Sequence, residues 1–213
     1  MILLTAGAAQ AAPTESAADT VQPMQVVSRW SFEKEAPAAN AVASGPAARI
    51  EKAVVAEGHA GTALRFEDWS VQDYLHPDPN RATRVVVPHD STLGVSYPLK
   101  ISAWIYPTAD PVYYGGIVER GLGYGAAFRL VLLRGLRVGG SVGRVNVRST
   151  APIALNAWHE VALTADGKTL TLTVDGVQAA VADLPSGGPA ASSDAVVIGE
   201  RFSGTIDEVS IAQ

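Results

Sequence analysis

Between Trp158 and Val181 the chain alternates so regularly that its local structure is constrained to extended backbone. Thr169-Leu170-Thr171-Leu172-Thr173-Val174 puts three aliphatic side chains on one face of a strand and three threonines on the other. That is the two-residue period of a half-buried β-strand. His159-Glu160-Val161-Ala162-Leu163-Thr164-Ala165 precedes it as another strand, and Val177 opens a third. Asp166-Gly167 and Asp175-Gly176 separate the three. Asp-Gly between alternating runs favours a two-residue hairpin, because glycine accepts the positive φ of a type I′ turn. The stretch predicts a three-stranded antiparallel meander. Leu170, Leu172 and Val174 should face a core, and the threonines should face solvent or a groove.

The remainder of the chain fits the same class. Val26, Val27, Trp30 and Phe32 open the domain, and the segments 62–67, 83–87 and 100–106 follow as alternating or compact apolar runs. Helical periodicity is nearly absent. The Ala-rich stretch 36–48 is interrupted by Pro37, Gly45 and Pro46 and has no apolar stripe, so it reads as a loop. No repeat of fixed period is present. Roughly a dozen short strands separated by turn residues imply an all-β, two-sheet antiparallel sandwich. The length of 213 residues suits one large β domain, and 47% hydrophobic against 17% charged residues argues against disorder. Trp104 and Trp158 are the large hydrophobes expected in the layer between the sheets.

Composition also excludes chemistry. Without cysteine there is no disulfide, thiol nucleophile or Cys-ligated metal. This leaves the compartment open, since many exported bacterial β domains lack cysteine. The net charge of -5 and the absence of a Lys/Arg run make nucleic acid and anionic membrane poor partners. No apolar stretch approaches the about 20 residues of a membrane span, so membrane insertion is not expected. Residues 1–23 are rich in Ala, Thr, Ser and Pro and read as a signal-peptide remnant and linker before a domain at 24–213. Met1–Leu4 is apolar and Ala9-Gln10-Ala11 resembles a small-x-small cleavage site, although a positive n-region is missing. A secreted or periplasmic location is the expectation.

Five motifs in order resemble a known family. They are Trp30-Ser31-Phe32-Glu33; the glycine-containing run from Gly58 and Gly61 through Ala63-Leu64-Arg65-Phe66; Ile101-Ser102-Ala103-Trp104-Ile105-Tyr106-Pro107; Trp158-His159-Glu160-Val161-Ala162 with Leu172-Thr173-Val174-Asp175-Gly176; and Phe202-Ser203-Gly204-Thr205-Ile206-Asp207-Glu208-Val209. Together they resemble laminin-G-like (LamG) domains, which are concanavalin A-like jelly rolls. Thr173 departs from the family pattern, as does the segment 67–81 with its extra Pro, Asp and aromatic residues. The resemblance implies pairing of the first and last strands. It also implies one structural calcium ion near their meeting point, with Glu33 on the opening strand and Asp207 on the closing strand as the matching acids. Solvated or turn-bonding carboxylates are the alternative at both positions.

Catalytic patterns do not emerge. Retaining hydrolases of this fold carry E-x-D-x-x-E on one strand, so that both carboxylates share a face. Here Glu67-Asp68 and Asp207-Glu208 are adjacent and should point to opposite faces. Gln72, Tyr74 and His76 alternate within a Pro-rich, loop-like segment, and Pro88-His89-Asp90-Ser91 reads as a turn rather than a triad. The segment 121–125 reads as a strand connection, and the four histidines lack metal-ligand spacing. Trp69, Tyr74, Tyr97, Tyr113 and Tyr114 fall in turn-rich segments, where their rings could stack on sugars or cover the ends of the sandwich. Of these, Trp69, Tyr74, Tyr113 and Tyr114 are the candidate ligand-binding residues. The expected function is a secreted, non-catalytic binding module for glycans or cell-surface ligands. The alternatives are a polysaccharide lyase or glycoside hydrolase of the same fold, or a protein-binding adhesion domain. An acidic groove with paired carboxylates would favour the enzyme, an aromatic platform a glycan, and a flat apolar patch a protein.

Overall fold

A computed structural model of the chain describes residues 23–43, 45–67, 82–121, 125–188 and 191–213. Among them, two antiparallel sheets stack as a jelly-roll sandwich, with a short 3-10 segment at Ser91–Leu93. The eight-stranded sheet runs β13 (Val177–Asp183), β12 (Thr169–Val174), β11 (His159–Ala165), β6 (Leu99–Pro107), β15 (Gly204–Ala212), β4 (Thr62–Phe66) and β3 (Val54–Glu57). Its eighth strand, β1 (Val26–Trp30), also pairs with β15. The seven-stranded sheet runs β10 (Val145–Arg148), β9 (Arg137–Val142), β8 (Phe128–Leu133), β7 (Tyr114–Arg120), β14 (Val196–Ile198), β5 (Arg84–Val87) and β2 (Arg49–Glu51). The expected sandwich is present, and the stretch 36–48 contains no strand among its described residues.

Strand β6 shows how sequence sets the two sides of a sheet. Leu99, Ile101, Ala103 and Ile105 are buried, while Lys100, Ser102, Trp104 and Tyr106 alternate with them on the other face. This corrects the expectation that Trp104 lies between the sheets. Once the smaller apolar residues of β6 point inward, the two-residue period sends Trp104 outward. Trp158, next to the start of β11, joins Tyr106 on the same outer face. The inter-sheet layer is filled instead by Trp30, Phe32, Phe66, Phe128 and Phe202, packed among Leu, Ile and Val.

The meander forms as expected, with β11 pairing β12 and β12 pairing β13. Leu170 and Leu172 are fully buried, and the threonines opposite them are partly exposed. Asp175 and Gly176 have φ of 50° and 75°, the positive values of a type I′ turn. The other connection is one residue longer than expected. Lys168 joins Asp166-Gly167 because the Asp166 carboxylate accepts the Lys168 and Thr169 N–H groups at 2.7 Å each, which holds a three-residue loop.

The first and last strands pair, with Trp30 opposite Val209, and Gln25 and Gln213 exchange two backbone hydrogen bonds at 2.7 and 2.9 Å. Strand β15 bulges between Asp207 and Ser210, where Glu208 takes φ 49°. Ile206 and Val209 both remain buried across this irregularity.

Gly176 has open space where a Cβ would lie, so its replacement tests backbone conformation alone. Gly176→Ala should cost about 1 kcal/mol. Thermal unfolding should show this as a fall of roughly 2–4 °C in Tm.

Candidate functional site

The outer face of the eight-stranded sheet carries a cluster of rings. Alternation brings Trp104 and Tyr106 out of β6, and the loop from Gly58 to Gly61 folds back over them. The His59 imidazole stacks on Trp104 with ring centroids 3.5 Å apart and planes 11° from parallel. Trp158 meets His59 edge-on at 5.8 Å and Tyr106 at 5.5 Å. Two shallow grooves flank the cluster. One, of about 500 Å³, is lined by Tyr106 and Trp158 together with Glu57, Arg65, Thr108 and Thr205. Register explains the assembly, since Thr205 pairs with Tyr106 on one side and with Arg65 on the other. The second groove, of about 350 Å³, borders Trp104, Ser102, Ser210, Glu160 and Glu208.

Asp207 and Glu208 do not point to opposite faces. Asp207 accepts the Ala60 N–H at 3.1 Å, and Ala60 and Glu208 border the same outer groove. The bulge inserts a residue, so both acids lie on the outer side between inward-facing Ile206 and Val209. Glu208 is ion-paired with Arg29 at 2.5 Å. Asp207 is fully buried, and burial raises its pKa above the usual carboxylate range. The Ala60 and Glu208 N–H groups oppose that rise.

Glu33 lies beyond the end of β1 rather than on it. Its carboxylate faces the loop that Asp207 also contacts, 3.4 Å from both the Thr62 N–H and the Thr62 hydroxyl. The glycines of that loop admit the two acids. A Cβ at Gly61 would stand 2.7 Å from a Glu33 oxygen, and one at Gly58 would stand 2.8 Å from an Asp207 oxygen. Two carboxylates therefore converge on one glycine-containing loop, a donor set that suits a hard cation preferring oxygen.

The seven-stranded sheet presents a different chemistry. Glu119 on β7 is buried and accepts the Nε–H of Arg129 on β8 at 2.7 Å. Burial raises the Glu119 pKa, Arg129 lowers it, and the nearby Glu200 adds to the rise. Tyr114 has the guanidinium carbons of Arg129 and Arg201 at 4.6 and 5.2 Å from its ring, and its hydroxyl accepts from Arg201. Tyr113 is half exposed beside it. Farther along, Arg84 bridges Glu51 at 2.7 Å and Glu200 at 3.3 Å. Trp69 and Tyr74, with Gln72 and His76, lie outside the described residues.

Other motifs prove to be structural. Asp90 caps the 3-10 segment by accepting the Thr92 N–H, and His89 contacts the buried Arg120 at 2.8 Å. His159 bonds to Asp175 at 2.8 Å and to the Ala154 carbonyl at 3.2 Å, which fastens the second meander turn.

Residues 80–213 match the laminin G model of the concanavalin A-like lectin/glucanases superfamily. The chain belongs to this superfamily. No curated protein sequence matches it. Among solved structures it is similar to domain 4 of AbnA, a GH43 extracellular arabinanase from Geobacillus stearothermophilus in complex with arabinotriose. Identity is 13%, coverage is 90% of this chain and 94% of that one, and the TM-score is 0.68. The binding domain of Paraclostridial Mosquitocidal Protein 1 gives 13% identity and a TM-score of 0.70, with 88% of this chain and 48% of that chain covered. A botulinum neurotoxin type C structure, described with two ganglioside molecules, gives 10% identity and a TM-score of 0.65, with 87% and 47% covered. This chain thus spans about half the length of those toxin chains. At such identities the likeness is one of fold.

Arg129→Ala should cost about 3 kcal/mol at neutral pH, because it leaves the Glu119 carboxylate buried without its cation. A carboxyl whose pKa is raised by folding loses stability as pH increases, and the variant raises Glu119 further. The gap between wild type and variant in urea unfolding should therefore widen from pH 5 to pH 8. A gap that stays constant with pH would contradict a charged pair.

Proposed function

We propose that this domain is a non-catalytic glycan-binding module whose ligand lies along the groove beside Trp158 and Tyr106. The observation that carries the reading is that groove itself. Two aromatic rings line it, and Glu57, Arg65 and Thr205 supply acceptors and donors around them. Sugar rings stack their apolar faces on such side chains, while polar neighbours fix their orientation. Its volume of about 500 Å³ falls among clefts that hold small ligands. The AbnA domain, described with arabinotriose, and the type C neurotoxin, described with gangliosides, lend support as relatives in fold. A hydrolase reading finds less support. Glu160 and Glu208 border one groove, but Glu208 is committed to Arg29.

Screening on a glycan array should find retained ligands. Trp158→Ala should weaken their binding about tenfold, equivalent to about 1.4 kcal/mol, while Tyr113→Ala, just before β7 of the opposite sheet, should leave it unchanged. The retained glycans should yield no new reducing ends on incubation with the protein. Unchanged affinity in Trp158→Ala would remove the groove from the reading, and product release would replace a binding module with an enzyme.

A calcium ion at the Gly58–Thr62 loop belongs to the same proposal. Glu33 and Asp207 would hold it with two carboxylates, and loop carbonyls would complete the six to eight oxygens calcium takes. The ion would fasten β15 to the loop that supports His59. A ligand bound only by the folded state stabilises it by about 2.7 kcal/mol at a hundredfold excess over Kd. Tm in calcium should exceed Tm in chelator by several degrees, on the order of 5 °C. Glu33→Ala should lose that difference while melting in chelator like the wild type. Overlapping melts of the wild type in the two buffers would rule the ion out.

A further inference from the structure

The outer face of β8, β9 and β10 is basic in a chain whose net charge is -5. Residues 128–148 contain Arg129, Arg134, Arg137, Arg144 and Arg148, with no aspartate or glutamate. The meander in the opposite sheet has the reverse character, with Glu160, Asp166, Asp175 and Asp183 against Lys168. The two edge meanders thus carry opposite charge.

Register brings two of the spaced arginines, Arg129 and Arg148, into adjacent rows. Arg129 pairs with Ser141, and Ser141 with Asn146, so these three form one row across the face. Val131, Gly139 and Arg148 form the next row. Leu133 and Val131 pack over Gly139, and a trough of about 260 Å³ opens beside them. Val131 and Leu133 give it an apolar wall, Ser141 and Asn146 a polar one, and Arg129 and Arg148 also line it. No carboxylate lines it among the described residues. Two acids on the neighbouring segments are otherwise engaged. Glu119 is buried against Arg129, and Asp110 accepts the N–H groups of Gly135 and Leu136 at the β8–β9 turn. Arg137 is turned to the Ser149 and Thr150 carbonyls, and Arg148 is exposed without an acidic partner among the described residues.

We propose that this trough is a second binding site, for the anionic groups of an acidic polysaccharide. Arg148 would contact a carboxylate or a sulfate; Arg129, whose Nε–H is held by Glu119, would add only its terminal N–H groups, with the Ser141 hydroxyl and the Asn146 amide beside them for sugar hydroxyls. No aromatic ring lines the trough, so nucleic-acid bases have no stacking platform there. The site lies on the sheet opposite the aromatic groove, so the two are separable by mutation.

The test measures binding of the intact domain to polygalacturonate (carboxylated), dextran sulfate (sulfated), neutral dextran and a single-stranded oligonucleotide. At least one acidic polysaccharide should bind more tightly than dextran and should weaken with added salt. The arm that binds identifies carboxylate or sulfate as the recognised group. Arg148→Glu should reduce that binding at least about tenfold, Arg148→Lys should keep most of it, and Trp158→Ala should leave it unchanged. Because Arg148 is exposed, all of these Arg148 variants should melt like the wild type, and Arg148→Ala provides an uncharged check. Equal binding of dextran and both polyanions, or undiminished binding in Arg148→Glu and Arg148→Ala, would overturn the site. An oligonucleotide bound as tightly as the polysaccharides would overturn the saccharide assignment. Loss of neutral-glycan binding at Trp158 would not bear on this site, so the two readings fail separately.

Discussion

Strand β15 is hydrogen-bonded along both edges, and the rest of the sandwich is arranged around that fact. One edge carries β6 for most of its length, and the other carries β4 and then β1. The last strand of the chain therefore occupies the middle of its sheet, and three sequence-distant segments must be in place before its backbone groups are satisfied. Buried N–H and C=O groups left unpaired would be costly, so the closing strand locks the order of its neighbours. Its bulge has a second effect. It lets Ile206 and Val209 both face the core while two acids in succession face outward.

What lies on the outside of each sheet follows from what the core takes first. In β6 the slim apolar residues go in, and the two largest rings come out beneath the Gly58–Gly61 loop. In β8 the sequence Phe128, Leu130, Leu132 goes in, and Arg129 comes out beside Glu119. The surface chemistry of this molecule is thus a by-product of alternation, which places rings on one face and guanidinium groups on another.

The fold was legible in the sequence because its determinants are local. The Asp175-Gly176 turn, the threonine–leucine alternation of β12 and the order of the five family motifs each act over a few residues. The site was much less legible. Whether Trp104 lies inside or outside depends on which face of β6 the core claims, and size alone suggested the wrong one. The opposed faces expected for Asp207 and Glu208 assumed an unbroken strand, and nothing short-range announces the bulge. The basic face went unseen because its arginines are separated by three to seven positions and never form a run. Strand register brings them together, and register is a property of pairs of strands. Tyr114 was visible as an aromatic residue in a turn-rich segment, but its two guanidinium neighbours come from another strand and another loop.

The pairing of Gln25 with Gln213 also has a mechanical meaning. Antiparallel partners that begin and end side by side are loaded one rung at a time when their ends are drawn apart, as a zipper is. Tension applied between residues 25 and 213 would fall first on that outermost pair of hydrogen bonds, then on the Val26–Ala212 rung, and would reach the buried Trp30 only after β1 had peeled away. Pulled across a loop on the far side instead, the same sandwich would have to shear many rungs together. The molecule is therefore mechanically soft along one axis and stiff along others, and the direction of a tether decides which it presents.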